Sequence, residues 1–325
     1  MTRSVFISWP GYDPAGSDTG QRLQDAGLAL RLHPKTGARS PEDLADLAAG
    51  CCAAIVSTDP FTAQTLKRLA GLQVIARVGV GTDSIDLPAA TGRGVAVTIT
   101  PGMNAVTVAE HTLALMLALL RRVVAQDASV KAGRWDRIGA MTPRELAASR
   151  VLLIGGGTIG RAVAVRLLAF GAQVLVHDPV APCPPGCMPA PDLDAALAGA
   201  DIVSLHLPRT PETEGLLNAG RLGSLKPGAL VINTARGGLL DEAALFAGLR
   251  SGHLGGAALD VFDTEPPDPQ ALRDVPNLIA AAHMGGLSHE SIARMTASAT
   301  DSVLRVLAGE CPATVINPGF RAVPR

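Results

Sequence analysis

The chain has 325 residues, 47% of them hydrophobic and 18% charged, and 28 Lys and Arg stand against 29 Asp and Glu for a formal net charge of −1. That composition excludes a disordered chain and offers no basic face to a nucleic acid. The length allows about two domains at roughly 100–200 residues each, and with 3% aromatics the core must rest on Ala, Val, Leu and Ile.

Residues 1–10 carry one early Arg and the short apolar run Val5–Ser8, without a long apolar core or a small-residue cleavage site. No signal peptide is expected. The longest apolar run, Leu113–Leu120, is too short to span a bilayer. A cytoplasmic protein with no membrane contact is expected. Five cysteines are few and odd in number, and no second Cys or His pair stands near Cys183 and Cys187. No metal site is expected.

Over the first hundred residues, β-branched runs at Val5–Ser8, Ala53–Ser57, Val74–Val78 and Val95–Ile99 alternate with helical stretches at Gln21–Ala26, Pro41–Ala49, Thr62–Leu69 and Leu87–Thr91. Such alternation predicts a parallel sheet with helices on both faces. A long helix is predicted over Ala105–Arg122, with Asn104 at its N-cap and Arg121 and Arg122 at the C-terminal end of its dipole. It is apolar nearly all round, which predicts burial between domains or in a dimer interface.

The alternation then restarts. Strands are predicted at Val151–Ile154, Gln173–His177, Asp201–Leu207, Leu230–Asn233, Gly256–Val261 and Leu278–Ala282, separated by helices such as Ile159–Phe170, Leu193–Ala198 and Glu242–Arg250. Pro179–Pro191 reads as an irregular loop, and a final helix over Ser288–Leu307 brings the chain back. The expected fold class is α/β, with two doubly wound parallel-sheet domains: a flavodoxin-like domain of residues 1–103 plus 287–325, and a Rossmann domain of residues 104–286 inserted into it.

After the strand Val151–Ile154 comes Gly155-Gly156-Gly157-Thr158-Ile159-Gly160, then a helix. This is G-x-G-x-x-G between a strand and a helix, the setting a dinucleotide pyrophosphate requires. Gly155 allows the tight turn, Gly157 a close backbone approach to the pyrophosphate, and Gly160 close helix–strand packing. Free N–H groups near Thr158 and Ile159 face the phosphate charge. Asp178, at the end of the next strand, stands where an acid accepts hydrogen bonds from the adenosine ribose and repels a 2′-phosphate. The expected cofactor is NAD.

Three polar residues follow strands of the second domain: Arg236 in Asn233–Gly238, Glu265 in Asp260–Pro266 and His283 in Ala282–Gly286. Singly they read as a surface cation, a loop carboxylate and a packing residue. Together, beside a dinucleotide fold, they match one chemistry. Arg236 can hold the carboxylate and adjacent carbonyl of a 2-oxo acid through its planar fork of donors. Protonated His283 can give a proton to the carbonyl oxygen, and neutral His283 can remove it in reverse. Glu265 would orient the imidazole and stabilise its charged form.

Almost the whole chain resembles the D-isomer-specific 2-hydroxyacid dehydrogenases. The residues that carry the likeness are Arg77–Asp83, Asn104 with Val108–His111, the glycine fingerprint, Asn233–Gly238, Ala258–Pro266 and His283–Gly286. The resemblance implies Arg236, Glu265 and His283 as the catalytic set. It implies a substrate-binding first domain and a homodimer formed through the cofactor domains. It also implies that backbone N–H groups around Val80 and Gly81, with Asn104, bind the substrate carboxylate. Thr107, His206, Pro208, Thr234, Ala235 and Gly285 match positions that line the cofactor, and Asp260 matches the carboxylate near the nicotinamide carboxamide.

Within the family the sequence is most similar to the D-3-phosphoglycerate dehydrogenases, in Gly133–Arg137 and Gly256–Phe262. Arg77 and Arg137 match basic residues near their substrate phosphate. Where those enzymes carry an Arg after the third strand, this chain has Ser57-Thr58-Asp59, which is expected to weaken phosphate recognition. His283 is preceded by Ala282 where the family usually has Pro. The chain stops soon after the final helix, so the regulatory domain of longer relatives is expected to be missing. Two other readings stay open: a glyoxylate or hydroxypyruvate reductase, and a non-catalytic NAD-sensing protein like the family's corepressors.

Overall fold

Short β-branched runs closed by Gly and Pro turns bury both faces only when helices cover a parallel sheet on each side. A computed structural model of the chain describes residues 3–322, with the backbone alone for residues 140, 321 and 322. Residues 1, 2 and 323–325, assigned by sequence to the first domain, lie outside the described residues. The chain divides into two compact units. One is built from its two ends, up to Asn104 and again from Leu287, and the other is Ala105–Gly286.

The first unit runs β1 (Ser4–Ile7), α1 (Thr19–Asp25), β2 (Ala29–Leu32), α2 (Pro41–Leu47), β3 (Ala53–Val56), α3 (Ala63–Arg68), β4 (Val74–Arg77), α4 (Leu87–Gly92) and β5 (Ala96–Thr98). Its strands are all parallel, in the order β2-β1-β3-β4-β5. This is the flavodoxin-like doubly wound order.

The second unit begins with α5 (Ala105–Leu120) and α6 (Val123–Lys131). It continues with β6 (Arg150–Ile154), α7 (Thr158–Ala169), β7 (Gln173–His177), β8 (Met188–Pro189), α8 (Leu193–Gly199), β9 (Ile202–Leu205) and α9 (Ala219–Ser224). Then come β10 (Leu230–Asn233), α10 (Glu242–Arg250), β11 (Gly256–Leu259), α11 (Pro269–Arg273) and β12 (Leu278–Ala280). The parallel order β12-β11-β10-β9-β6-β7-β8 is that of a Rossmann sheet, reversing between β6 and β9. Val151 and Leu153 of β6 pack on one face with α5 and α7, and Leu152 and Ile154 on the other with α8, α9 and α10. The α/β fold with two parallel sheets is as the sequence predicted.

The chain returns to the first unit as α12 (His289–Leu307). Ser288 and Ser291 close a reciprocal capping box at its start. Met295, Ala299, Val303 and Val306 of α12 then cover one face of the five-stranded sheet. On the other face Leu44, Leu66 and Ala90 come from α2, α3 and α4.

Several elements depart from the sequence reading. Strand β2 was not read: at the sheet edge it is only partly buried, so its apolar run is short. The supposed irregular loop at Pro179–Pro191 contains β8, paired with β7. Proline is tolerated there because an edge strand leaves its N–H side unpaired. The long helix ends at Leu120, because Arg122 turns left-handed (φ 57°) and starts α6.

At the C-terminal edge of the first sheet Asp59 is fully buried. Arg39, with only 11% of its side chain exposed, pairs with it at 2.6 Å, and the Ser8 hydroxyl donates to its other oxygen. The acid that sequence reading set beside the substrate therefore faces inward and is neutralised. Removing one partner of a buried pair leaves a lone buried charge. Arg39→Met is expected to lower stability by about 3–5 kcal/mol, read as a drop in the urea midpoint. A change under about 1 kcal/mol would mean that Asp59 is not held as an ion.

Candidate active site

The turn after β6 carries the glycine motif. Gly155 sits at φ 105°, and a Cβ there would stand 2.2 Å from the His206 carbonyl oxygen, so the turn and the end of β9 meet through glycine. A Cβ on Gly160 would meet the Gly155 carbonyl at 2.1 Å. Gly157 is the N-cap of α7, and a Cβ there would point into open space. Thr158, Ile159 and Gly160 form the first turn of that helix, whose N–H groups lack partners within the helix. The open cradle and the free donors fit a pyrophosphate.

Asp178 follows β7. The Gly156 N–H donates to its Oδ2 at 2.7 Å, and those of Val180 and Ala181 to its Oδ1 at 2.8 Å each. Partial burial disfavours its charge, but these three donors outweigh burial and hold the carboxyl below its ordinary range. It flanks a cavity of about 200 Å³ lined by Val176, Ala181, Cys183, Pro189, Ala190 and Pro191. A narrow apolar slot beside a charged acceptor fits an adenine and its ribose. His206, after β9, is held neutral: burial pushes its pKa down to about 4, and its Nε2 meets the Ser204 hydroxyl at 2.9 Å.

Arg236 is carried by a loop that Asn233 ties to the sheet. Asn233, 1% exposed at the end of β10, accepts from Ala235 N–H (3.0 Å) and donates to the Arg236 carbonyl (2.8 Å). Thr234 is buried and its hydroxyl meets that of Thr112 on α5 at 2.9 Å. The Arg236 guanidinium is half-buried and donates to the Ala235 carbonyl at 2.6 Å. The next residue, Gly237, touches the loop after β11: a Cβ there would lie 2.0 Å from the Phe262 carbonyl oxygen. Only glycine lets these loops approach so closely. Asp263 links them again, accepting the Gly238 N–H at 2.6 Å.

Glu265 and His283 meet directly. His283 Nδ1 lies 2.8 Å from Glu265 Oε2, and Glu265 Oε1 accepts the Phe262 N–H at 3.2 Å. Partial burial works against the Glu265 charge, yet His283 and that N–H keep its carboxyl below the ordinary carboxylate range. Beside it Glu242 receives the Asp263 N–H, but burial and the charges of Asp263 and Glu265 raise its own carboxyl.

His283 has a left-handed backbone, φ 51°. Such a conformation costs a β-carbon-bearing residue about 1–2 kcal/mol. Asp260, 2% exposed at the end of β11, pins it from three sides. Its carbonyl accepts the His283 N–H, its Oδ1 that of Met284 and its Oδ2 that of Gly285, each at 2.8 Å. Burial opposes the Asp260 charge, but contact with His111 and the two turn N–H groups hold its carboxyl low.

Among the second-unit residues singled out by sequence, Thr107 lies on the first turn of α5, and Pro208 is exposed two residues past His206. Arg137 is exposed in the segment after α6. Arg77, Val80, Gly81 and Asn104 belong to the first unit. Arg77 ends β4 and folds its guanidinium back onto the Val78 carbonyl, over Gly79. Val80 and Gly81 follow in a loop braced by Thr100, whose hydroxyl accepts the Gly79 N–H at 2.8 Å. Sequence reasoning missed the supporting roles of Asn233, Asp263 and His111. It also missed Lys35, whose ammonium reaches the Thr58 hydroxyl at 2.7 Å and brings a cation to the neutral Ser57–Thr58 edge. Its only sequence signal was a Lys after an unread strand. Among the described residues no cluster of His, Cys, Asp and Glu could hold a metal, and no helix is long and apolar enough to cross a membrane.

A Rossmann edge of this kind defines a dinucleotide-binding α/β protein with an Arg–Glu–His set beside the cofactor turn. Residues 113–285 match the profile of the D-isomer specific 2-hydroxyacid dehydrogenase, NAD binding domain. The chain is 41% identical over 264 residues to a D-3-phosphoglycerate dehydrogenase of Mycobacterium leprae, covering 80% of this chain and 50% of that protein. It is 40% identical over 269 residues to a glyoxylate reductase of Thermofilum pendens, covering 80% and 79%. A solved protein of Thermus thermophilus superposes with TM-score 0.88 at 38% identity, covering 96% of this chain and 99% of the other. This chain belongs to the D-isomer specific 2-hydroxyacid dehydrogenase family, and its second unit contains that family's NAD-binding domain. It spans about half the length of the first curated relatives it matches.

The depressed Asp260 carboxyl gives a pH signature. Its folded pKa lies below the unfolded value of about 3.9, so its stabilisation is complete above that value and is lost as pH falls through the folded pKa. Asp260→Asn is expected to unfold at lower urea than the parent at pH 7, with the gap narrowing below about pH 4. A gap constant from neutrality to acid would place its origin elsewhere than in the charge.

Proposed function

We propose that the chain is an NAD-dependent D-2-hydroxyacid dehydrogenase that moves a hydride between NAD(H) and C2 of a small 2-hydroxy or 2-oxo acid. The observation that carries this reading is the 2.8 Å contact of His283 Nδ1 with Glu265 Oε2, on the same sheet edge as Arg236 and the glycine turn. An ionised carboxylate only accepts, so Nδ1 keeps its proton and Nε2 is left for the substrate.

A bound dinucleotide would supply or take the hydride. Gly155, Gly157, Thr158, Ile159 and Gly160 would hold its pyrophosphate, and Asp178 its ribose. Thr107, His206, Pro208, Thr234, Ala235, Asp260 and Gly285 would complete its lining. Arg236 grips the substrate's carboxylate and carbonyl through parallel N–H groups. In reduction His283 gives its Nε2 proton to the carbonyl oxygen, and in oxidation it takes the hydroxyl proton back. Glu265 stabilises the charged imidazole and fixes its orientation. Val80, Gly81, Asn104 and Arg77 are the residues proposed for substrate binding in the first unit, which is accordingly proposed as the substrate-binding domain, and Arg137 is the residue proposed for that role in the second.

The substrate reading is phosphoglycerate dehydrogenase-like, supported by Arg77, by Lys35 beside Thr58, and by the mycobacterial relative. A glyoxylate or hydroxypyruvate reductase is the second reading. It is favoured by the neutral Ser57 and by the archaeal reductase that the chain matches over most of its length. A homodimer is proposed from the exposed Val123, Val124, Val130, Trp135 and Ile138 of the second unit, an apolar set that a partner subunit would cover. A reducing, cytoplasmic location fits cysteines that are all free.

NADH oxidation with a panel of 2-oxo acids tests the activity and separates the substrates. A kcat/KM for phosphohydroxypyruvate well above that for hydroxypyruvate is expected, and equal values would decide for the reductase. His283→Ala is expected to lower kcat by about 10²–10⁴-fold while leaving the NADH dissociation constant unchanged. Near-normal turnover would end the proton-transfer role. Asp178→Ala is expected to shrink the preference for NADH over NADPH by about tenfold, ~1.4 kcal/mol, because no carboxylate then repels a 2′-phosphate. An unchanged ratio of the two kcat/KM values would mean that another group reads the ribose.

A further inference from the structure

Helix α5 brings His111 against the turn that carries His283. The His111 Nε2 is shielded from solvent and lies 3.4 Å from Asp260 Oδ1, an ion-pair distance whose orientation falls short of an aligned hydrogen bond. The ring also packs on the turn itself. A Cβ added at Gly285 would stand 3.1 Å from His111 Cδ2 and 2.7 Å from Asp260 Oδ2.

Asp260 spends both carboxylate oxygens on the N–H groups of Met284 and Gly285, and its carbonyl on that of His283. A buried carboxylate that holds a strained turn must itself be kept in one rotamer. The turn donors pull on it from one side, and His111 is the basic side chain that meets it on α5. The demand is greater here because Ala282 precedes His283, so no proline ring restricts the backbone entering the turn.

We propose that His111 is a positioning residue: acting through Asp260, its imidazole sets the turn Ala282–Gly285 and keeps His283 in register with Glu265. Its effect on rate rests on the dehydrogenase reading, whereas its effect on the His283 imidazole does not.

Three variants of the full chain test this. His111→Gln keeps an N–H donor toward Asp260, His111→Phe keeps the volume against Gly285 without a donor, and His111→Ala removes both. Two readouts apply: steady-state kinetics with NADH and the best 2-oxo acid, and ¹⁵N-imidazole NMR. With seven histidines in the chain, the His283 signals are assigned by their loss in His283→Ala. In the parent, His283 is expected to carry its proton on Nδ1. In His111→Phe and His111→Ala that tautomer is expected to lose population, with kcat falling about 10–100-fold and by far more than the NADH affinity. His111→Gln is expected to restore both readouts toward the parent. Unmoved His283 signals in the Phe and Ala variants would overturn the proposal. So would full restoration by Phe, which would reduce His111 to packing, or a loss of NADH affinity matching the loss of kcat. If the parent turns over no 2-oxo acid, the dehydrogenase reading fails, and the His283 signals alone still decide the role of His111.

Discussion

The Asp260 carboxylate, taken out of water at the end of β11, is the constraint on which the site depends. Burial raises the free energy of its charge, and the contact with His111 together with donors on the neighbouring turn brings it back down. Those donors are the N–H groups of Met284 and Gly285, so satisfying the carboxylate forces the chain after β12 into one shape. That shape puts His283 in the left-handed region, a conformation costing about 1–2 kcal/mol that charge-assisted hydrogen bonds of about 1.5–3 kcal/mol each can offset. The imidazole is then presented to Glu265 without needing an element of its own.

Three loops must converge for Arg236, Glu265 and His283 to share an edge, and each is held by a backbone device rather than by side-chain packing. Asn233 closes the Arg236 loop onto β10. Gly237 lets that loop lie against the Phe262 carbonyl, and Asp263 ties the two together. The cost is a gathering of acids: Glu242, Asp263 and Glu265 crowd one another, and burial together with the two neighbouring charges raises the Glu242 carboxyl. Glu265 escapes that fate because His283 and the Phe262 N–H face it, so charge concentrates on the carboxylate that contacts the imidazole. On the cofactor side the opposite choice is made. His206 is held neutral, and the proposed pyrophosphate site is left to backbone N–H groups whose dipoles carry no titrating proton.

Both sheets were legible in the sequence because strands buried on two faces leave unbroken runs of Val, Ile and Leu, such as Val151–Ile154 and Leu230–Asn233. Elements at sheet edges were not. Strand β2 alternates between half-buried and exposed, and β8 is two residues long with a proline in it, so neither leaves a run. Helix α11 buries no side chain and α9 only Leu222, so neither displays an apolar period. The glycine turn, Asp178, Arg236, Glu265 and His283 stood out because each follows a readable strand. What the sequence did not display was support: Asn233 lay inside a recognised motif without a role, and the contact of His111 with Asp260 joins α5 to a loop about 150 residues later.

The same logic explains why the chemistry is easier to read than the substrate. Arg236, Glu265 and His283, the set proposed for the chemistry, all belong to the second unit, and their proposed roles need side chains whose identity the chemistry dictates. Recognition proposed for the first unit rests partly on backbone N–H groups at Val80 and Gly81, which any residue supplies, so it leaves a weak trace in residue type. The cation at the β3 edge arrives from a different loop than the family pattern leads one to inspect. Lys35 reaches Thr58 across the sheet edge, while Arg39 from the same loop is drawn inward to neutralise Asp59. Two basic residues four positions apart thus part ways by burial alone, one serving stability and the other, after donating to the Thr58 carbonyl and hydroxyl, left with one N–H for an anion. Reading Ser57-Thr58-Asp59 as a net loss of positive charge counts an acid that the fold has already cancelled and overlooks a base that it has carried in.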